Sequence, residues 1–365
     1  MSGTLLVACS AFAVTLVLSL LLPFAVRPLL RRLRIVDVPN ERSSHERPVL
    51  RGLGLAVLVA VVCGGVLAVA LFALRGWSGH SVWDVLLVAV GGSLLAGLLG
   101  LVEDLRGLSV PIRSALLLLI ALGSAIGLLL TARPLGDEIG DASFGWIAGV
   151  PLAPFPGWAA VLLAIYGVLF ISGYINVANF MDGLNGISGF HGVIAGLAFA
   201  AAGWLSSLPW LLAAGLVLAA GFAGFLPWNL SKPGAFLGDV GSYLLGGATA
   251  IISISAFVNG VPILATIGPM VIYFGDVGVT LVRRVRAGRK WDEPHKEHVY
   301  QRLQQQGRSH IAASGITALF SLAASVLGLI SFFVAPVWWW ALLAGGLALL
   351  VLYLRLPRLL APSAG

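Results

Sequence analysis

Long apolar runs dominate the chain, and short polar stretches interrupt them at intervals of one membrane thickness. A helix needs roughly 20 apolar residues to cross the hydrocarbon core. On that measure the pattern predicts eleven spans, at 3–26, 52–74, 84–102, 114–132, 158–175, 188–205, 210–226, 241–257, 262–282, 311–334 and 337–354. Only Ala335 and Pro336 divide the last two, so ten spans are the alternative count. The predicted fold class is all-α: a polytopic integral membrane helical bundle forming a single transmembrane catalytic domain over 1–365. Composition agrees. The chain is 59% hydrophobic and 10% charged, with mean hydropathy +1.00, which excludes a soluble globular domain. Cys9 and Cys63 both fall inside apolar runs, so no disulfide framework is implied.

Charge orients the spans. No positive residue precedes the first apolar run, whereas Arg27, Arg31, Arg32 and Arg34 follow it. That arrangement predicts an uncleaved first span with the N-terminus outside. The segments 27–51, 103–113, 176–187, 227–240 and 283–310 and the tail then face the cytoplasm. They hold twenty of the Lys and Arg residues, and the opposite side holds only Arg75 and Arg133. The asymmetry is the positive-inside pattern, so the formal charge of +7 reflects anionic cytoplasmic lipid, not nucleic acid. The outer segment 133–157, with Asp137, Glu138, Asp141 and several prolines, reads as a solvated connector.

The polar positions that remain carry the chemistry. In NVANFMDGLNGISG, 176–189, Asn176, Asn179, Asp182 and Asn185 recur every third residue. On a helix they would share one side, and Gly183 and Gly186 predict that the helix ends or bends among them. Polar groups at membrane depth are costly unless they line a cavity or meet water, which makes them functional candidates. The plainer alternative is an Asn-rich loop between spans.

Four further segments add to them. The first loop, 37–54, offers Arg42, Ser43, Ser44, His45, Arg47 and Arg51 between Pro39 and Pro48, as a phosphate cradle or as a basic juxtamembrane loop. Glu103 and Asp104 sit together at a span's end, suited to a metal or to proton transfer; a solvated pair bridging to Arg106 is the alternative. Asp239 lies between Gly238 and Gly241 at the start of a span, where glycines admit a ligand and the carboxylate can also cap the helix. In 283–310, Asp292, Glu293 and Pro294 read as a helix start, which would place His295, His298 and Arg302 on one face. Val299, Tyr300 and Leu303 form an adjacent apolar stripe. Two His three residues apart could bind a transition metal, but no third such ligand lies nearby, which favours anion binding. Asp276 is a carboxylate inside the preceding span, with Arg283 as its expected structural partner, and His191 and His80 read as structural.

No P-loop and no Ser–His–Asp signature occurs. Carboxylates beside basic groups fit a magnesium-bridged diphosphate, since magnesium takes one or two protein carboxylates and completes its shell with phosphate oxygens and water. Arg and His would take the remaining phosphate charge. The apolar belt offers a place for a lipid co-substrate. A transporter is the competing class, but its polar groups would lie near the midplane and not at one face.

The motifs NVANFMDGLNG, FLGDVGS, the pair Glu103–Asp104 and HKEHVYQRL, with the loop PNERSSHERPVLRGLG, resemble those of the polyprenyl-phosphate N-acetylhexosamine-1-phosphate transferases, over essentially the whole chain. The resemblance implies transfer of a sugar 1-phosphate from a UDP-N-acetylhexosamine to polyprenyl phosphate, with release of UMP and a requirement for magnesium, which manganese could replace. It places Asp104 at the second Asp of the family's acidic pair, Asp239 in its GDxGS motif, Asn179 and Asp182 in its NxxDG core, and His295 and His298 in its histidine motif. Asp104, Asp182 and Asp239 are thus the expected catalytic residues, with Asp239 and Asp182 as metal ligands. Asn176, Asn179, Asn185, Arg51, His295, His298 and Arg302 are expected to bind substrate, and Glu103 and Asp276 are further site candidates. Glu103 stands where the family usually has Asp, and Asn185 where a second Asp is common. His-Lys-Glu-His replaces the three consecutive His of the cell-wall translocase branch, which points to the O-antigen and surface-glycan branch. The implied setting is the bacterial inner membrane with the site facing the cytoplasm, and a homodimer is a further expectation.

Overall fold

The computed structural model describes residues 2–33, 35–37, 49–75, 82–131, 146–147, 150–151, 157–231, 234–290 and 295–361. Among these, eleven helices are long and apolar enough to cross a membrane. They are α1 (Ser2–Arg32), α2 (Gly54–Leu74), α3 (Val82–Arg106), α4 (Val110–Thr131), α5 (Gly157–Met181), α6 (Ile187–Leu205), α7 (Pro209–Leu230) and α8 (Gly238–Val258), then a broken ninth span, α12 (His310–Ile330) and α13 (Trp339–Leu359). The ninth span consists of α9 (Ile263–Ile267), one 3₁₀ turn at Gly268–Met270, and α10 (Val271–Arg286). Turn residues 331–334 separate α12 from α13, which settles the count at eleven. The chain is a polytopic helical membrane protein. A short helix, α11 (Val299–Gln305), a 3₁₀ turn at Pro336–Trp338, and two short antiparallel pairs, β1 (Val36–Asp37) with β2 (Val49–Leu50) and β3 (Trp146–Ile147) with β4 (Val150–Pro151), complete the described elements.

Without a hydrophobic force between helices in lipid, close packing decides which ones associate, and small residues allow it. α6 and α7 meet through glycine: a Cβ on Gly196 would collide with the backbone of Ala219, and one on Gly203 with the backbone of Leu212. α8 sits in the centre, buried along nearly its whole length from Val240 to Ala256. By contrast α13 keeps only Tyr353 and Pro357 buried and lies at the periphery.

The start of α8 is where the chain converges. Phe236 donates its backbone N–H to Leu50, while Leu53 and Gly54 donate to Phe236 and Leu237, so residues 50–54 run beside 236–237 like a short ladder. Gly54 must lack a side chain, since a Cβ there would lie 2.6 Å from the Gly241 Cα. On the opposite side a Cβ on Gly100 would collide with the Asp239 carbonyl oxygen. Asp104 is one helical turn beyond Gly100, on the same face of α3. The bare face that lets α3 touch α8 therefore also delivers a carboxylate to the α8 N-terminus.

Candidate active site

Asp104 is almost fully buried and caps α8 from another helix. Its Oδ2 accepts the Val240 N–H at 2.9 Å, satisfying a donor that α8 leaves without an intrahelical partner. Gly238, at φ +77°, shapes the approach, because a Cβ there would lie 2.7 Å from the same oxygen. The sequence expectation that Asp239 caps its own helix is therefore corrected: the α8 N-cap is Leu237, with no side-chain cap, and Asp104 does the capping. Asp239 points elsewhere. Its Oδ1 accepts the Asn179 amide at 2.8 Å and its Oδ2 pairs with Arg51 Nη2 at 2.8 Å. Asn179 also donates to the Ser242 hydroxyl at 3.0 Å. Arg51 completes the set, with Nε 2.9 Å from Asp104 Oδ1. The expected substrate ligand Arg51 thus bridges two carboxylates, holding together charges that would otherwise repel.

Asp182 follows the last residue of α5, in the five-residue connection 182–186. Its Oδ1 accepts the Ser188 hydroxyl at 2.6 Å. Burial pushes its carboxyl up to about 7; the Ser188 bond opposes this, the Asp239 charge adds to it, and Arg51 pulls it back. Gly186, at φ +92°, ends the connection at the α6 N-cap. The sequence expectation that the helix stops among these glycines is met, and the regular spacing of four residues separates into different roles. Asn176 donates to the Ser172 carbonyl of its own helix at 2.9 Å and does not reach the cluster. Asn185 is a strut: its amide donates to the Asn229 carbonyl, its Oδ1 faces His310 Nδ1 at 3.2 Å, and its backbone oxygen accepts Ser314 at 2.9 Å. The amides of Asn176 and Asn185, expected to bind substrate, thus have partners within the protein. Asn185 has left α5 with the 182–186 connection, so the three-residue spacing no longer means a shared face, whereas Asn176 remains inside the helix.

Glu103 has different partners from Asp104. Adjacent residues on a helix point about 100° apart, and Glu103 turns toward the α3–α4 connection. There it accepts the Leu108 N–H at 3.1 Å and pairs with Arg113, not Arg106, at 3.2 Å.

The 283–310 segment differs most from expectation. Residues 295–298 are not helical, and α11 begins only at Val299, with His298 as its N-cap. His295, His298 and Arg302 therefore do not share a helix face. Asp292, Glu293 and Pro294 lie outside the described residues, as do Arg42, Ser43, Ser44, His45 and Arg47 of the first loop, His80, and Arg34. His298 is buried against Asp276, with Nδ1 3.2 Å from Oδ1. Asp276 pairs with this histidine, not with Arg283. His295 lies beside it, ring centroids 4.8 Å apart. Burial first, then the His298 and Arg284 charges, lower its pKa to about 4, so His295 is neutral at physiological pH and offers a hydrogen bond without charge. The Arg302 side chain forms no ion pair with any described residue.

Residues outside the expected site tie the two regions together. Tyr300 packs over Gly183 and donates to the Phe180 carbonyl at 3.0 Å, and Tyr273 donates to the Ile187 carbonyl at 3.1 Å. Asn229 accepts the Gly186 N–H and donates to the Ala235 carbonyl at 2.9 Å. Only polarity among apolar neighbours marked Tyr273 and Asn229 in sequence, whereas Tyr300 belongs to the apolar stripe beside the histidines, which the structure buries. His191, read as structural, is buried, 2.8 Å from the Tyr174 hydroxyl and stacked on Tyr273. A cavity of about 450 Å³, lined by apolar residues of α5, α9, α10, α12 and α13, includes none of Asp104, Asp182 and Asp239 in its lining.

The cluster suits a hard cation by its donor set. Asp104, Asp182 and Asp239 supply oxygen only, and among the described residues Ser188 is the one donor that reaches Asp182. Among the described residues no three His, Cys, Asp or Glu side chains are placed together to hold a metal ion. An open set of one or two carboxylates is what magnesium needs when phosphate oxygens complete its shell.

Comparison with known proteins identifies the family. The family model described as glycosyl transferase family 4 matches residues 86–257, which hold Asp104, Asn179, Asp182 and Asp239. A probable undecaprenyl-phosphate N-acetylglucosaminyl 1-phosphate transferase of Bacillus subtilis is 28% identical over 325 residues, covering 86% of this chain and 84% of the relative. A decaprenyl-phosphate N-acetylglucosaminephosphotransferase of Mycobacterium leprae is 31% identical, covering 77% and 73%. A phospho-N-acetylmuramoyl-pentapeptide-transferase of Oceanobacillus iheyensis is 28% identical, covering 70% and 76%.

Proposed function

The chain belongs to glycosyl transferase family 4, and from that premise we propose how its converging helix ends carry out the reaction. The protein transfers the 1-phosphate of an N-acetylhexosamine from a UDP-sugar to polyprenyl phosphate. An oxygen of the lipid phosphate bonds to the sugar-bearing phosphorus, the bond from that phosphorus to the bridging oxygen breaks, and UMP leaves with that oxygen. The lipid phosphate is already anionic near neutral pH, so the site must bring anions together more than it must remove a proton. Asp104 orders the α8 N-terminus and Arg51, and the ordered helix end presents positive potential to phosphate. Asp239 and Asp182 would hold magnesium, which when bound supplies positive charge where the two substrates and the leaving group concentrate negative charge. Asn179 fixes the Asp239 rotamer. His295, His298 and Arg302 would face the donor diphosphate.

The single observation that carries this reading is the Asp104–Arg51–Asp239–Asn179 chain at the start of α8. It joins four distant segments at one point; each of its carboxylate oxygens has a protein partner, and a cation would share those oxygens through their remaining lone pairs. The names of two relatives support N-acetylglucosamine as the sugar. The His-Lys-Glu-His motif supports initiation of a surface glycan such as O-antigen. The twenty-to-two basic asymmetry supports a cytoplasmic site and an external N-terminus in a bacterial inner membrane.

The test is transfer of radiolabel from UDP-N-acetylglucosamine into undecaprenyl phosphate by purified protein. Lipid-linked label and UMP should appear in equal amounts, EDTA should abolish both, and magnesium or manganese should restore them. Transfer that continues unchanged in EDTA overturns the metal assignment, and no transfer from any UDP-N-acetylhexosamine overturns the donor class.

A further inference from the structure

We propose that Asp276, a carboxylate inside the membrane bundle, is a positioning residue for donor binding, and that it acts through the seat it gives to α11. The inference rests on the assignment of His295, His298 and Arg302 to the donor diphosphate.

Asp276 has no solvent exposure and is saturated with donors from three directions. His298 Nδ1 lies 3.2 Å from its Oδ1, and the Val299 N–H reaches its Oδ2 at 3.0 Å. The Tyr353 hydroxyl of α13 donates to Oδ2 at 3.0 Å, and the Thr280 hydroxyl, one turn along α10, reaches Oδ1 at 3.3 Å. Tyr353 is itself 3.2 Å from the Thr317 hydroxyl of α12. A buried carboxylate with this many partners is expensive to disturb, because several buried donors share it as acceptor.

The geometry has a direction. Val299 is the first residue of α11, so Asp276 holds the beginning of the helix and the ring that precedes it. One residue on, Tyr300 stacks parallel to His298 at 5.8 Å and reaches over Gly183 to the Phe180 carbonyl. Arg302 lies within the same short helix. α11 is thus pinned at one end from below by Asp276 and fastened on its flank to the Asp182 connection by Tyr300. With Nδ1 committed to Asp276, Nε2 is the ring nitrogen of His298 left to meet a ligand. Releasing Asp276 would let His298 turn and α11 slide, while Asp104, Asp239 and Arg51 would keep their own bonds.

The experiment compares Asp276→Asn with wild type in the full-length protein. It measures KM for UDP-N-acetylglucosamine and for undecaprenyl phosphate, the Kd for UDP by calorimetry, and amide hydrogen exchange across 295–305. UDP carries the diphosphate common to any such donor, so its Kd reads the site whichever sugar is used. We expect donor KM and UDP Kd to rise about tenfold, acceptor KM to stay within twofold, and the Val299 and Tyr300 amides to exchange faster while α8 does not change. Unchanged donor affinity, or an equal rise for both substrates, overturns the proposal. If Asp276→Asn does not fold, Tyr353→Phe carries the test, with about a threefold rise in the same donor-only pattern. Arg302→Ala and His298→Ala, if both leave UDP affinity unchanged, remove the loop from donor binding altogether. If those two weaken it and Asp276→Asn does not, only the present inference falls.

Discussion

Two regions meet at the site and are built in opposite ways. Around the α8 N-terminus, helix ends are pressed together through Gly54, Gly100 and Gly238, and the functional groups project from backbone that has no room to shift. In 295–305 the functional groups sit on an extended stretch and a seven-residue helix, held by tyrosine hydroxyls and one buried carboxylate. Rigid contact of backbone suits the step where charge develops, since a donor placed there need not reorganise. A short helix fastened by side chains suits a substrate that must enter and leave. The carboxylate region should therefore control turnover, and the loop should control donor affinity.

The largest effect should come from Asp239→Asn, which keeps shape and removes charge. Turnover should fall at least ~100-fold, the scale of one lost electrostatic stabiliser, in protein that still folds and reaches the membrane. Gly100→Ala should come next. Its methyl group must push α3 off α8, carrying Asp104 away from Val240. Overpacking of this kind costs about 1–3 kcal/mol, so activity and the thermal midpoint should both fall, whereas Gly123→Ala, with open space around it, should change neither. Arg302→Ala should lose a charge-assisted contact to phosphate, about 1.5–3 kcal/mol, read as a higher donor KM with turnover nearly kept.

Asp182 gives a prediction in pH. Its folded pKa of about 7 lies above the ordinary value of 3.8, so the folded protein holds the proton more tightly than the unfolded chain does. That contribution is fully present below the unfolded value and is lost as pH rises toward the folded one. In metal-free buffer the thermal midpoint should therefore gain from Asp182→Asn at pH 7.5 relative to pH 5. A gain that is larger at pH 5 would contradict the assignment. The smallest effect belongs to Glu103→Gln, since Glu103 serves the α3–α4 connection: transfer should stay within about threefold, in keeping with one part-exposed ion pair.

The same contrast explains what could be read from the sequence. The spans were legible because lipid demands long apolar helices, and all eleven are found, with ends that differ from the expected ones by up to six residues. Asp104, Asn179, Asp182 and Asp239 were legible because they sit at helix ends beside glycine, where local sequence determines local geometry. The exchange of roles between Asp104 and Asp239 was not, because capping across helices depends on which helices touch. Asn185 and the one-face arrangement of His295, His298 and Arg302 failed for a related reason. Each assumed that a helix continues, and each segment had left the helix to make contacts far away in the chain.

The division between turnover and donor affinity is tested most directly by steady-state kinetics of Asp239→Asn and Arg302→Ala side by side, with UDP-N-acetylglucosamine varied at saturating undecaprenyl phosphate. The account predicts that Asp239→Asn loses at least ~100-fold in kcat with a much smaller change in donor KM, and that Arg302→Ala shows the reverse. Wild-type kcat in folded Asp239→Asn, or a loss confined to kcat in Arg302→Ala, would contradict it.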